Sequence, residues 1–393
     1  MNNDIFYHVS VKAGGAKNES VKADGAEYDL SDDLSSLTVD ESGSGPAQLT
    51  IEIPDPFKVF SHALREGMEV EVDLGTVSDH SLLFRGRITK IEGSFPPRGL
   101  PALRLLAFDR SMSMGLRKRN RVWTETTLKK IVEDIGAVYF GRENITTELK
   151  VEPRFTGNGI RQQDETDLAF LLRLGTTYGC EMFVVNKRKD KLLIDELHFI
   201  AQYQLMKAAP AVTLSHGRSG VANHLLSFEA TADIAKIQLP RVFAGTDYDT
   251  GELIQEETAE VLNVGSTADS FADENLALFS KRYPERAKSL KNLLSAAETV
   301  SDRLRKELGS VTREVTPGFT TRDELSKRAK NQFSTSLHGM SADGITSGNH
   351  RMHAQSTVKL DDVGGRFSGI WYLSQVRHVL DRDGYYTEFQ CRR

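Results

Sequence analysis

The strongest constraint in this sequence is an alternation. Met68, Val70, Val72 and Leu74 are interleaved with Glu69, Glu71 and Asp73. Successive side chains on a strand point to opposite faces, so this run predicts a strand with one apolar and one acidic face. The same period of two runs through Ile5, Tyr7, Val9 and Val11, through Leu49, Ile51 and Ile53, and through Leu103, Leu105 and Ala107. Pro54-Asp55-Pro56 ends one of these strands, and a Pro/Gly-rich turn spans Gly93 to Pro101. Such one-sided strands suit an antiparallel sheet or barrel, with the acidic side in water or against a partner. The polar stretch from Gly14 to Ser44 reads as long loops.

The period changes after a basic run, Arg117-Lys118-Arg119-Asn120-Arg121, which reads as a solvated linker or a contact for phosphate or an acidic partner. Leu128, Ile131, Val132 and Ile135 share one helical face, with Thr124 or Thr126 as cap and Gly136 as stop. A second helix is expected over about Glu165 to Tyr178, with Gly179 just past its end. A hairpin follows, Met182–Val185 and Leu192–Ile194 around a charged turn at Lys187 to Lys191. Strand patterns resume near Val212, with runs at Ala235–Leu239 and Val242–Thr246 before a turn at Asp249-Thr250-Gly251-Glu252. From about Glu256 to Val315 the pattern is charged and helical. Beyond Pro284, Ala287, Leu290, Leu294, Ala297, Leu304 and Leu308 follow 3-4 spacing, which predicts an exposed or interface helix over Pro284–Leu308. A short helix is expected at about Arg322 to Leu337. The last strands run over Ile370–Val379 and Tyr385–Cys391 after the turn Gly364-Gly365-Arg366-Phe367-Ser368-Gly369.

Charge and composition exclude several classes. Fifty Lys and Arg against 55 Asp and Glu give a net charge of −5 and a pI near 6.1, no basis for nucleic-acid binding. No apolar run approaches the ~20 residues of a spanning helix. The start, Met1 to Gly15, carries no basic segment followed by an apolar one, so no secretory signal is expected. Cys180 and Cys391, far apart in sequence, argue for a reducing cytosol rather than a disulfide framework, with Cys180 read as a small buried hydrophobe and Cys391 as a strand residue.

The chemistry-bearing motifs are missing. There is no phosphate loop, no Gly-x-Gly-x-x-Gly opening a helix, no nucleophile elbow and no His-Glu-x-x-His. Gly364 to Gly369 joins strands and reads as a turn, and Asp361-Asp362 sits beside it, where Asp is common. His350 and His353 are three apart, with His338 upstream and His378 beyond, but no Cys or carboxylate stands at a metal-ligand spacing. Solvated loop histidines are the ordinary reading. No catalytic, metal or cofactor-binding residue is assigned, no cofactor is expected, and the binding residues are left unassigned.

Four stretches resemble one family. In order they are Phe84-Arg85-Gly86-Arg87-Ile88 with Ala107-Phe108-Asp109; Arg161 to Leu171 followed by Tyr178-Gly179-Cys180-Glu181; Val242-Phe243-Ala244-Gly245-Thr246-Asp247 with Thr250-Gly251; and Phe367 to Leu373, Val376-Arg377-His378 and Gly384-Tyr385-Tyr386-Thr387-Glu388-Phe389. Their sequence of occurrence is similar to that of the tail hubs of contractile machines. That family includes phage late-control protein D, the hub part of the type VI secretion spike protein, and hubs of extracellular contractile injection systems.

The resemblance implies an α+β, mainly β fold: two related antiparallel β-barrel domains with an inserted small α/β module and a helical insertion. The expected division is a first barrel over residues 1–115, the α/β module over 116–200, a second barrel over 201–255 and 316–393, and the helical insertion over 256–315. It also implies a non-enzymatic structural hub. Three copies would form a pseudo-sixfold adaptor between a hexameric inner tube and a trimeric spike, and would touch baseplate wedge proteins. Relatives sometimes carry the spike on the same chain; here the last strand runs to Arg393, so a separate spike protein is expected. The protein is expected in a virion tail or extracellular injection particle, made in the bacterial cytoplasm, with no membrane insertion. The alternatives are a particle-associated cell-wall hydrolase and a carbohydrate-binding β module.

Overall fold

The computed structural model describes residues 5–13, 26–42, 45–157, 159–189, 192–217, 223–233, 241–247, 250–257, 277–293, 312–320, 322, 325–326 and 339–393. The protein is mainly β, with short helices between strands. The alternating segments form β1 (Ile5–Lys12), β4 (Gln48–Pro54), β5 (Glu69–Thr76), β6 (Asp79–Ser94) and β7 (Ala102–Phe108), together with β2 (Glu27–Asp29) and β3 (Ser36–Ser42). β3 lies in the stretch read as loop. Only Leu37 and Val39 face inward there, and the rest of the strand is polar, so its pattern is too short to stand out. A one-turn helix, α1 (Phe60–Ala63), follows β4. The inward residues of these strands bury one another in a first core that includes Val9, Leu37, Ile51, Val72, Phe84 and Leu105.

The middle region holds β8 (Lys118–Trp123), β9 (Thr126–Thr127), α2 (Leu128–Phe140), β10 (Ile145–Glu148), β11 (Arg154–Phe155), β12 (Ile160–Thr166), α3 (Asp167–Tyr178), β13 (Cys180–Lys189), β14 (Leu192–Ala201) and α4 (Gln202–Lys207). α2 is capped by Thr127 rather than Thr124 or Thr126, its side chain accepting from Lys130 N. Gly136 does not end it; it packs against Ile145 and Leu197, and the helix stops at Gly141. α3 starts at the Thr166 cap and ends on Gly179 in the left-handed conformation, as the sequence predicts. The basic run is not a linker: it forms β8, antiparallel to β12. Arg121 reaches the buried Asp167 at 3.3 Å. These elements enclose a second core built on Ile131, Ile135, Phe170, Leu174, Leu197 and Phe199.

The last region comprises β15 (Val212–Ser215), β16 (Leu225–Ala232), β17 (Arg241–Asp247), β18 (Leu253–Glu257), β19 (Thr312–Thr320), β20 (Met340–Ser347), β21 (Thr357–Asp361), β22 (Gly369–Asp381) and β23 (Gly384–Arg392). A third core gathers Leu214, Trp371, Leu373, Val376 and Phe389. The Phe389 ring lies over Gly344 of the neighbouring strand, where a Cβ would come within 2.3 Å of it. β17, β18 and β19 form a sheet of their own, so residues 256–257 and 312–315 of the expected helical insertion are strand. Residues 277–282 and 284–293 are helical, with Ala287 buried and Leu278 and Leu293 well exposed. The rest of that insertion, the expected strand Ala235–Leu239 and most of the helix expected at Arg322–Leu337 fall outside the described residues.

One register organises the molecule. β22 pairs with β3 antiparallel, from Gln375 opposite Ser42 to Leu380 opposite Leu37. The strands of the first and last regions, β17, β18 and β19 apart, therefore belong to one 13-stranded sheet running β16-β20-β23-β22-β3-β4-β7-β6-β5-β1-β2, with β15 and β21 off the path. No sheet closes on itself among the described residues, so barrel closure is absent there. The β3–β22 ladder carries each region's hydrogen bonding into the other instead of back to its own far edge. Among the described residues, no helix is long and apolar enough to cross a membrane.

Candidate functional site

The acidic face of β5 faces neither water nor a separate partner. Strand alternation puts Glu69, Glu71 and Asp73 on the side away from the first core, and β6 sets Arg85 directly opposite Glu71. The β13–β14 hairpin of the middle region covers this face. Arg85 donates from Nη1 to Asp195 Oδ2 at 2.9 Å and from Nη2 to Glu69 Oε2 at 3.1 Å. Arg188 grips Asp73 with two parallel bonds of 2.9 and 3.0 Å, the fork geometry that makes guanidinium–carboxylate pairs specific. Asn186 locks the register: its Oδ1 accepts from the Arg85 backbone N–H at 3.0 Å, and its Nδ2 donates to Asp195 Oδ1 at 3.0 Å. Glu71 and Asp73 are about 4% exposed. Burial lowers the Arg85 pKa, but Asp195 and Glu69 outweigh it and raise it above its ordinary value.

A second set of polar contacts ties the last region to the first. The segment Asn349–Ser356 lies as a strap across the β3–β22 junction. Arg351 pairs with Asp79 at 2.8 Å. His353 Nδ1 lies 2.9 Å from Glu41 Oε1, and the Ala354 N–H donates to Glu41 Oε2 at 3.0 Å. Burial disfavours both charges of that pair, yet each partner stabilises the other. Glu41 is held below its ordinary range and His353 above its own.

His378 is fully buried beneath the strap. Its Nε2 is 3.0 Å from the Met352 carbonyl, which can only accept, so the proton sits on Nε2. Nδ1 then accepts from the Tyr385 hydroxyl at 2.8 Å. Burial pushes this imidazole down to about 4, with Glu41 pulling weakly the other way. Gln355, buried in the same segment, holds a left-handed backbone, φ +62°.

All three regions meet around a cavity of about 220 Å³ lined by Glu41, Phe84, Asp109, Val184, Asn186 and Gln355 among others. Burial pushes the Asp109 carboxyl up to about 6 although Ser111 and the Ala47 N–H bond it. Asp109 ends β7 and caps the turn that starts the middle region. Both of its oxygens are already bonded, Oδ1 by Ser111 and Oδ2 by the Ala47 N–H.

Among the described residues, His350, His353 and His378 are each held by a protein partner rather than free in a solvated loop. His350 is buried beside Asp79 at 3.5 Å, His353 is ion-paired, and His378 is the buried neutral ring. His338 lies outside the described residues. Their roles escaped the sequence because Glu41 and Asp79 are some 300 residues away in the chain. No group of three or more His, Cys, Asp or Glu able to hold a metal occurs among the described residues. Cys180 and Cys391 are buried thiols, Cys180 pushed up to about 12 by burial, the state of an inert core cysteine. Gly364 to Gly369 is a turn, with Phe367 and Ser368 donating their backbone N–H to the Gly364 carbonyl. Asp361 pairs locally with Lys359. Arg85, Asn186, Arg188 and Asp195 were missed as a group. The one available signal was Arg85 and Arg87 alternating on the strand after the acidic one. The arrangement as a whole ties the three regions to one another.

Comparison with known proteins agrees with this architecture. A family described as the phage tail baseplate hub (GPD) matches residues 44–383. No curated protein sequence matches the chain. Among solved structures, the chain is similar to the 43 kDa tail protein of prophage MuSo2 from Shewanella oneidensis, with a TM-score of 0.61, 12% identity, and 99% of this chain and 98% of that one covered. It is similar to the tail protein of Neisseria meningitidis MC58, with a TM-score of 0.60, 14% identity and coverage of 98% and 96%. It also resembles the E. coli c3393 protein, a component of the type VI secretion system described as structurally similar to T4 tail proteins gp27 and gp5. That likeness has a TM-score of 0.53, 12% identity and coverage of 92% and 73%. At these identities the structures speak to the fold.

Proposed function

This chain belongs to the phage tail baseplate hub family, and from that premise we propose that it works as a homotrimer whose two β regions per copy present six similar faces to a hexameric inner tube. Its other end would meet a threefold spike, and its flanks the baseplate wedge. The observation that carries this reading is the β3–β22 ladder. A symmetry adaptor needs two β units per chain held at one angle under load, and a shared sheet fixes that angle with backbone bonds rather than with a linker. The division into a first β unit over 1–115, an α/β module over 116–200, a second β unit over 201–255 and 316–393, and an inserted segment over 256–315 is part of the same proposal. So is the absence of a catalytic role: the polar clusters at the junction are spent on one another.

Light scattering on the purified chain tests the proposal. The expected mass is three times the 43.7 kDa of one chain, with co-elution when tube or spike protein is added. A monomer at micromolar concentration that joins neither protein would overturn it. Deleting residues 284–308 is expected to weaken assembly while leaving the main unfolding transition in place.

A further inference from the structure

The first region displays several large apolar side chains at its surface. Phe57 is 88% exposed, and Val59, Phe95 and Leu100 are more than half exposed. Phe57 lines a groove together with Pro54, Pro56 and Phe60, and exposed apolar side chains gathered in this way mark an interaction site. Phe57 is not on a loose loop. The Asp55 carboxylate accepts from the N–H groups of Phe60 and Ser61, Asp55 N donates to Pro101 O at 2.7 Å, and Pro54 and Pro56 stiffen the turn. An aromatic ring held out by a rigid turn loses little entropy when a partner covers it. Beside it runs a groove of about 700 Å³, floored by Tyr7 and Phe60, whose charged rim is Asp32, Asp33 and Asp381 against Arg382. The groove is apolar and net acidic.

The same chain carries the opposite surface. The β8–β12 ribbon turns Lys118, Asn120, Val122 and Arg161 to solvent, and Leu116 and Arg117 just before it are exposed as well. Leu116 and Val122 are 67% and 59% exposed. Lys118 pairs with the exposed Asp164 at 2.9 Å, a contact worth little to stability. Topology keeps the two surfaces apart. The groove sits at the Pro54/Ala102 end of β7, and the ribbon follows Phe108 at its other end, about 20 Å away at ~3.3 Å per residue. A cyclic trimer needs two such surfaces, because its contacts join one patch to a different patch on the next copy.

We propose that the acidic apolar groove around Phe57 receives the basic β8–β12 ribbon of a second copy of this chain. The proposal rests on the homotrimer reading and names the contact that makes it. Phe57 buries against Leu116 or Val122, and Arg117 and Lys118 meet Asp32 and Asp33.

The test uses the full chain in sedimentation over a range of concentrations. F57D and the double variant R117E/K118E each alter only exposed residues, so melting is expected to stay unchanged. Each is expected to raise the concentration for half-assembly at least tenfold. Mixing the two variants is the sharper measurement. The intact ribbon of F57D fits the intact groove of R117E/K118E, so the mixture is expected to give dimers that neither variant gives alone. Adding D32K to K118E is expected to recover part of the lost assembly. A wild-type trimer indifferent to both variants overturns the groove–ribbon contact alone and leaves the groove to another tail protein. A wild-type monomer overturns the homotrimer, and this contact with it.

Discussion

Two of the seams of this molecule are built differently. Between the first and last regions the seam is a strand ladder, β3 on β22, with the Asn349–Ser356 strap across it. Between the first region and the α/β module it is a set of side-chain bonds, Arg85 with Asp195 and Glu69, and Arg188 with Asp73. Backbone pairing fixes angle and register together and is almost blind to salt. Side-chain pairs fix position through long, partly solvated arms, and ions screen them. The difference teaches how firmly each joint is fixed. The β units are welded, whereas the module is clamped onto an acidic face and is the part that can yield.

The hardest way to break this comparison is to cut the weld. Val39→Pro, in the middle of β3, removes a ladder bond between two paired neighbours. It is expected to cost about 3 kcal/mol or more in denaturant melts, with the first and last cores losing stability together. If only one region loosened, the shared sheet would not be the mechanical unit. Arg85→Met attacks the clamp. It removes the guanidinium from the buried Asp195 and Glu71 and leaves them with Arg110 at 3.4 Å and Lys12 at 3.0 Å, so a loss of about 2 kcal/mol is expected. Hydrogen exchange should locate that loss in the β13–β14 hairpin and leave β3 and β22 protected.

pH separates the seams next. His378 is neutral when folded, with its pKa at about 4 against 6.5 unfolded, so the unfolded chain binds the extra proton between those values. Stability at the weld is therefore expected to fall on acidification, by about 2 kcal/mol from pH 6.5 to 5, and H378N should flatten that slope. The Glu41–His353 pair runs the other way. Its His353 share is complete below pH 6.5 and fades as pH rises through the raised value. Its Glu41 share is lost only as pH falls below the carboxylate range. The smallest effect is expected from salt. One molar NaCl should lower stability by less than about 1 kcal/mol, mostly at the clamp. Equal salt sensitivity at the weld would blur the distinction.

Much of this was legible in the residues. The alternation of Val70, Val72 and Leu74 with Glu69, Glu71 and Asp73 named the strand and its two faces, and Thr166 and Gly179 bracketed α3. Strand β3 was hidden because two inward residues cannot establish a period. The basic run was misread because Arg119 and Arg121 look like solvent residues until Asp167 and β12 are folded against them. The histidines were misread for the same reason.

What the sequence alone determined is local: where strands, helices and turns fall, which face of each is apolar, and that the chemical motifs of the common enzyme classes are missing. These follow from side-chain periodicity and backbone preferences that act over a few residues. Only the tertiary structure decided that β22 lies beside β3, that the acidic face of β5 is clamped by a hairpin over a hundred residues away, and that His378 is neutral and enclosed. Each of those is set by which surfaces meet. A carboxylate or an imidazole carries the same letter in water and in a core, and only its neighbours determine its charge and its role.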